Sequence, residues 1–199
     1  MNSGRPSPAG GSASREIMWR RVLDDLSLEV ARFSVAGSQP QITGTVLIAE
    51  RGAPLRVDYR ITCDDAWSTR ELQVEAVSHG TRRTVRLERD GARWHRDGEY
   101  APDLTGCTDV DLEVTPATNA LPVNRLRLPV GTRQEILAAW VRFPSLRVIR
   151  ARQSYERVGE SRYRYTSLDS GFTALVDVDE HGFPVDYQGI WRRIADGPG

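Results

Sequence analysis

From Leu55 to Cys63 the chain alternates without a break: Leu55, Val57, Tyr59, Ile61 and Cys63 stand on one side, and Arg56, Asp58, Arg60 and Thr62 on the other. A repeat of two residues is the signature of a half-buried β-strand. Similar runs recur at Thr43–Glu50, Glu71–Val77, Arg83–Arg89, a short stretch around Trp94, Leu146–Tyr155, Arg162–Leu168, Phe172–Val178 and Val185–Trp191. Gly and Pro punctuate them about every ten residues, which indicates one continuing antiparallel sheet, sandwich or roll. Asp90-Gly91 and Asp97-Gly98 tolerate the positive φ of tight hairpins and predict a meander there.

The alternation breaks at one place. Over Asp109–Val114 it still holds, with Val110, Leu112 and Val114 opposite Asp109, Asp111 and Glu113. After Thr115 the period changes: Thr115 is a capping residue, Pro116 suits the start of a helix, and Ala117–Leu121 can continue the turn. The expected principal helix therefore lies near residues 116–126, with Pro122 restarting or kinking it. Glu135–Phe143 fits a helix or a strand, because Ile136, Ala139, Trp140 and Phe143 also follow helical spacing; Pro144 ends it in either case.

The chain has 199 residues, enough for one sizeable core, and no composition shift divides it. The predicted organisation is a Gly/Ser/Pro tail over residues 1–15, one domain over 16–195 and a short tail over 196–199. Basic and acidic residues number 27 each, so the broad positive field that phosphate backbones draw on is absent and nucleic acid is not an expected partner. The first fifteen residues contain no apolar run of the kind a signal peptide or membrane span requires, so the expectation is a cytoplasmic protein with no integral membrane span. Cys63 and Cys107 read as buried thiols.

Chemical signatures are sparse. His79, His95 and His181 are scattered and neither cysteine belongs to a metal-binding spacing, so no metal or cofactor is expected. No nucleophile elbow, P-loop or dinucleotide fingerprint occurs. Asp109 and Asp111 lie about 7 Å apart by strand rise, a separation compatible with paired hydrolytic carboxylates and equally with a solvated face that partners neighbouring arginines. Trp67, Trp94, Trp140, Tyr155, Tyr163, Tyr165, Tyr187 and Trp191 combine aromatic bodies with polar heads, and Tyr163 and Tyr165 share a strand face that can pack in a core or line an amphipathic groove. Glu50–Tyr59 echoes Glu180–Tyr187, and Trp19-Arg20-Arg21 recurs as Trp191-Arg192-Arg193. Two similar halves would explain this, as would the common preference of hairpins for Gly and Pro.

The run Asp109-Val-Asp-Leu-Glu-Val-Thr-Pro-Ala-Thr-Asn-Ala-Leu-Pro-Val-Asn-Arg-Leu126 resembles the hallmark of the putative glycolipid-binding family, a group of small bacterial proteins once catalogued as a domain of unknown function. Val57-Asp-Tyr-Arg60, Gly106-Cys-Thr-Asp109, Ala139-Trp-Val-Arg-Phe-Pro144, Tyr163-Arg-Tyr165 and Val185-Asp-Tyr187 stand in the order that family shows. Where it has two basic residues after the second proline and a hydrophobic position, this chain has Asn124-Arg125 and departs at the first.

The resemblance implies an all-β, mainly antiparallel spiral β-roll, a long curved sheet wrapped around a single principal helix. It implies no catalytic residue. It also implies a glycolipid or similar amphipathic small molecule as ligand, and a homodimer that would cover sheet edges left open. The expected site is Thr118, Asn119 and Arg125 as polar groups, Tyr163 and Tyr165 as aromatic wall, and Asp111; Asn119 can instead brace the helix. The alternatives are a hydrolase using Asp109 and Asp111, and a structural or interaction protein.

Overall fold

The computed structural model describes residues 14–23, 27–36, 38–50 and 52–198. Eight strands come first: β1 (Ser14–Arg21), β2 (Ser27–Ala36), β3 (Gln39–Glu50), β4 (Ala53–Cys63), β5 (Thr69–Ser78), β6 (Thr81–Asp90), β7 (Arg93–Arg96) and β8 (Glu99–Tyr100). Then β9 (Asp109–Leu112) leads into a 3-10 turn, Ala117–Asn119, and the α-helix α1 (Ala120–Leu126). Six more strands complete the chain: β10 (Arg133–Arg142), β11 (Arg147–Arg157), β12 (Arg162–Ser167), β13 (Thr173–Val178), β14 (Pro184–Tyr187) and β15 (Trp191–Pro198).

All fifteen strands belong to one sheet, ordered β8-β7-β6-β5-β4-β3-β2-β1-β15-β14-β13-β12-β11-β10-β9. The first and last strands meet in the middle, and each half of the chain meanders outward from that seam. Every pairing is antiparallel except β9 with β10. A parallel pair needs a crossover of a dozen or more residues, and residues 113–132, which carry α1, provide it. The mainly antiparallel roll around one helix expected from the sequence is the fold observed.

The helix begins where the motif placed it. Thr115 Oγ1 accepts the Ala117 N–H at 2.9 Å. Pro122 is the third residue of α1, inside the first turn, where a backbone N–H has no carbonyl within the helix to reach. Arg127 ends it in the left-handed region at φ 45, its N–H returning to Val123 O. Ala117, Ala120 and Leu121 pack into the larger core with Trp19, Val57, Leu72 and Leu112, while Val123 joins a smaller core with Tyr155, Tyr163, Tyr165 and Val176. The helix is thus enclosed by the sheet it interrupts.

Several boundaries differ from the sequence reading. Glu135–Phe143 resolves as strand: β10 runs from Arg133 to Arg142 and pairs with β11 along its whole length, because sheet neighbours on both sides outweigh helix propensity. Val185–Trp191 divides into β14 and the start of β15, which pair with each other. Of the expected N-terminal tail, residues 1–13 lie outside the described residues, whereas Ser14 and Arg15 already belong to β1. The expected C-terminal tail is also drawn into the sheet as far as Pro198. Backbone pairing of Arg15 with Pro198 and the ion pairs of Arg15 with Asp196 and Asp179 hold these polar ends, a link invisible to local composition. The echo of Glu50–Tyr59 in Glu180–Tyr187 is no structural repeat: β4 is fourth from the seam and β14 second, so hairpin chemistry accounts for it.

The two end strands of the sheet are short or engaged. Strand β8 has two residues. Beside β9, Thr108 O accepts the Thr69 N–H at 3.1 Å, the Val110 N–H donates to Thr69 Oγ1 at 3.2 Å, and Trp94 Nε1 donates to Cys107 O at 2.9 Å. The roll therefore turns its last edge in against β5 and β7.

Within the larger core stands a carboxyl that makes no ion pair among the described residues. Glu29 is fully buried; Tyr59 Oη donates to its Oε1 at 2.5 Å, and Thr115 Oγ1 lies 2.6 Å from both carboxyl oxygens. Tyr59 reaches it by lying across Gly44, where an added Cβ would come within 2.5 Å of the ring. Gly44→Ala is therefore expected to cost about 1–3 kcal/mol through overpacking, read as a lower urea midpoint. Desolvation is the main cause raising the Glu29 pKa to about 7, with the two hydroxyl hydrogen bonds opposing it. Between its ordinary value of 4.5 and about 7 the folded state keeps a proton that the unfolded chain has released. Stability is thus expected to fall by about 3 kcal/mol as pH rises through that window and to level off above it. Glu29→Gln should flatten most of this slope in urea melts; an unchanged slope would contradict the assignment.

Candidate functional site

Asp109 and Asp111 share one face of β9, and each meets a different partner. Asp109, 1 % exposed, is gripped by Arg125 of α1 through Nε–Oδ1 at 2.9 Å and Nη2–Oδ2 at 2.5 Å. Asp111 accepts Thr118 Oγ1 at 2.9 Å on one oxygen and Gln153 Nε2 of β11 at 2.6 Å on the other. Burial, the largest cause, raises the Asp111 pKa; the Gln153 and Thr118 hydrogen bonds oppose the rise. Asn119, also buried, accepts Tyr155 Oη at 2.9 Å and donates through Nδ2 to Pro116 O at 3.0 Å.

Of these groups Asp111, Asn119 and Gln153 line a cavity of about 360 Å3, large enough for a small polar ring or a short chain. Asp111, Glu113, Thr115, Asn119, Gln153, Ser167 and Ser170 supply polar lining; Trp140, Tyr165, Phe172, Tyr187 and Trp191 supply aromatic wall; Arg21, Leu23 and Ile190 also border the space. Tyr165 organises the aromatic part, meeting Tyr155 edge-on at 5.4 Å and Tyr187 edge-on at 6.2 Å between ring centres. Burial raises the pKa of Tyr165 and Tyr187, keeping both as neutral hydroxyls.

Of the residues expected at the site, Asp111, Asn119 and Tyr165 line this cavity, and Thr118 stands behind Asp111. Arg125 does not: its guanidinium is committed to Asp109 and borders a separate depression with Glu135 and Arg152. Tyr163 shares a strand face with Tyr165 but sits farther along it, under the Arg157 guanidinium and beside Arg127. The sequence reading did not place Gln153, Phe172 or Arg21 at the site. Gln153 left a signal, since it is a polar residue on the buried face of β11 between Ala151 and Tyr155.

Other features carry no site. Cys63 and Cys107 are free, buried thiols, each pushed up to about 12 chiefly by desolvation. Among the described residues no group of three or more His, Cys, Asp or Glu could hold a metal ion, and no helix is long and apolar enough to cross a membrane. A larger groove of about 810 Å3 crosses the outer face of β1 to β6. Many of its charges are already paired: Asp58 with Arg56, Glu75 with Arg56 and Arg82, and Arg86 with Glu71 and Glu88.

A winding antiparallel sheet around one short helix, with a part-aromatic, part-polar cavity beside that helix, defines a β-roll with an amphipathic cavity. Residues 16–193 match the sequence model of the putative glycolipid-binding family, and the chain belongs to that family. The crystal structure of a DUF1089 family protein from Pseudomonas aeruginosa is similar over 98 % of this chain and 99 % of its own, with 31 % identity and a TM-score of 0.71. A beta-barrel-like protein of domain of unknown function DUF1849 from Brucella abortus shares the fold at 8 % identity, covering 94 % of this chain and 98 % of its own, with a TM-score of 0.57. No curated protein matches the chain.

The hydrogen bonds of Asn119 give it a bracing role in the fold whatever else it touches. Asn119→Ala removes the acceptor of a buried Tyr155 hydroxyl and is expected to cost about 1–3 kcal/mol. The double variant with Tyr155→Phe should cost less than the sum of the singles, because neither partner is then left unpaired; strict additivity in a double-mutant cycle would contradict the contact.

Proposed function

We propose that this protein binds an amphipathic small molecule of glycolipid type in the cavity beside the helix and carries out no chemistry on it. The observation that carries this reading is that one cavity is lined both by aromatic rings and by buried polar side chains. Aromatic faces suit a sugar ring or a hydrocarbon chain, while Asp111, Asn119 and Gln153 can exchange hydrogen bonds with hydroxyl groups. Membership of the putative glycolipid-binding family supports a binding role.

A hydrolytic reading has less support. Its two carboxylates do not face a common space, because Asp109 is buried in its ion pair with Arg125 while Asp111 lines the cavity. Asp111 alone, with its raised pKa, is what a general acid would need, but the cavity offers no second free carboxylate: Glu113 is held by Arg142 and by the Phe143 N–H.

Native mass spectrometry of freshly purified protein is expected to show a bound mass released on denaturation, and octyl β-D-glucopyranoside is expected to raise the melting temperature. Tyr165→Leu should reduce that rise strongly and Tyr163→Leu should not. No bound mass and no shift would remove the reading, and release of free glucose over time would replace it with hydrolysis.

A further inference from the structure

Thr115 takes part in three structures at once. Its hydroxyl lies 2.6 Å from both oxygens of the Glu29 carboxyl, its Oγ1 accepts the Ala117 N–H at the start of the helical turn, and the residue lines the cavity of about 360 Å3. Among the described residues, its bond to Glu29 is the one side-chain hydrogen bond that ties residues 115–126 to β1–β8. Thr118 and Arg125 bond instead to β9, Asn119 to β11 and Asn124 to the His181 carbonyl. On the Tyr59 side there is no comparable space, because one more carbon at Gly44 would come within 2.5 Å of the ring. Val30, the next residue of β2, lines the groove on the outer face, so Glu29 points away from that groove.

Few groups act on this carboxyl. Across the sheet it is opposite Trp19 of β1 and Val46 of β3, neither of which titrates, while β4 supplies Tyr59 and the motif supplies Thr115. Tyr59 stays a neutral hydroxyl, its pKa pushed well up by burial and by Glu29. No charged side chain, Arg21 of β1 and Asp111 of β9 included, contributes to the shift of Glu29. Desolvation therefore dominates, and the closed structure keeps the Glu29 proton up to about pH 7. Once ionised, a carboxylate with two hydroxyl donors and no cation gains by reaching water. The adjoining space is the cavity, with Thr115 at its wall.

We propose that Glu29 is a proton-operated latch on the cavity wall: protonated, it holds Thr115 in place; ionised, it lets Thr115–Ala117 swing from the wall and admit water, while Thr118–Arg125 stay bonded to the second half of the sheet. The latch works whatever the cavity binds. So short a helix adds little resistance of its own to a local opening. Opening replaces a carboxyl that titrates at about 7 with one at its ordinary 4.5. The open population therefore rises about tenfold per pH unit between those two values and levels off above them.

Native-state hydrogen exchange of the full chain reads this opening at the Ala117 amide, whose N–H is held by Thr115 Oγ1. Corrected for its intrinsic rate, Ala117 protection is expected to fall about tenfold per unit from about pH 5 to about pH 7. Low urea should leave it unchanged, because a local opening exposes little surface. Arg127, whose N–H bonds to Val123 O at the other end of the helix, should not share the slope. Glu29→Gln, which offers the two hydroxyls an amide with no titrating proton, should abolish the slope and keep Ala117 protected throughout. In the wild type, the Glu29 carboxyl carbon signal in NMR should titrate where the slope levels off. Ala117 exchange that is flat with pH, or a slope that survives Glu29→Gln, would overturn the latch. So would an equal slope at Arg127 with urea dependence at both amides, since the whole roll would then be opening, and so would a Glu29 titration away from the levelling point.

Discussion

The fold depends on a helix seven residues long staying inside a sheet, and the Glu29 carboxyl is what fastens it there. So short a helix has little stability of its own in water. Thr115 caps the turn that starts it and, with the same hydroxyl, meets Glu29 of β2, which also receives the Tyr59 hydroxyl from β4. One buried acid thereby joins two strands of the first half of the chain to the motif that opens the second. A buried acid of this kind is tolerable because its oxygens are hydrogen-bonded and because desolvation favours its neutral form.

The other attachments of the motif face the second half. Arg125 holds Asp109, Thr118 and Gln153 hold Asp111, and Asn119 takes the Tyr155 hydroxyl. Each is a polar contact in a place where an unpaired partner would be expensive, so together they set the position of the helix more narrowly than apolar packing could. The cavity is a consequence. It lies where polar groups that brace the helix meet aromatic side chains from β10, β12, β14 and β15, and neither set fills the space between them.

Much of this was legible in the residues themselves. Alternation located most strands because each has one face against a core, and the Thr115-Pro116 start with the Pro122 restart located the helix. The hallmark run from Asp109 to Leu126 identified the family. Half-legible was the candidate site: Asp111, Asn119 and Tyr165 line the cavity, while Arg125 and Tyr163 stand away from it, since a basic residue looks the same in sequence whether it faces an open space or a buried carboxylate. Arg21 and Phe172 carried no signal, because their place at the cavity comes from the seam between β1 and β15 and from the turn before β13.

The sequence by itself determined the elements, their antiparallel character and the segment where the period changes, all of which follow from local spacing and backbone chemistry. Only the tertiary structure decided that Ser14 to Arg21 pairs with Trp191 to Pro198, that Glu135–Phe143 is strand, and that Glu29 lies beneath Thr115. These are contacts between residues far apart in the chain, and their energy comes from hydrogen bonds and burial that exist only once the roll has closed.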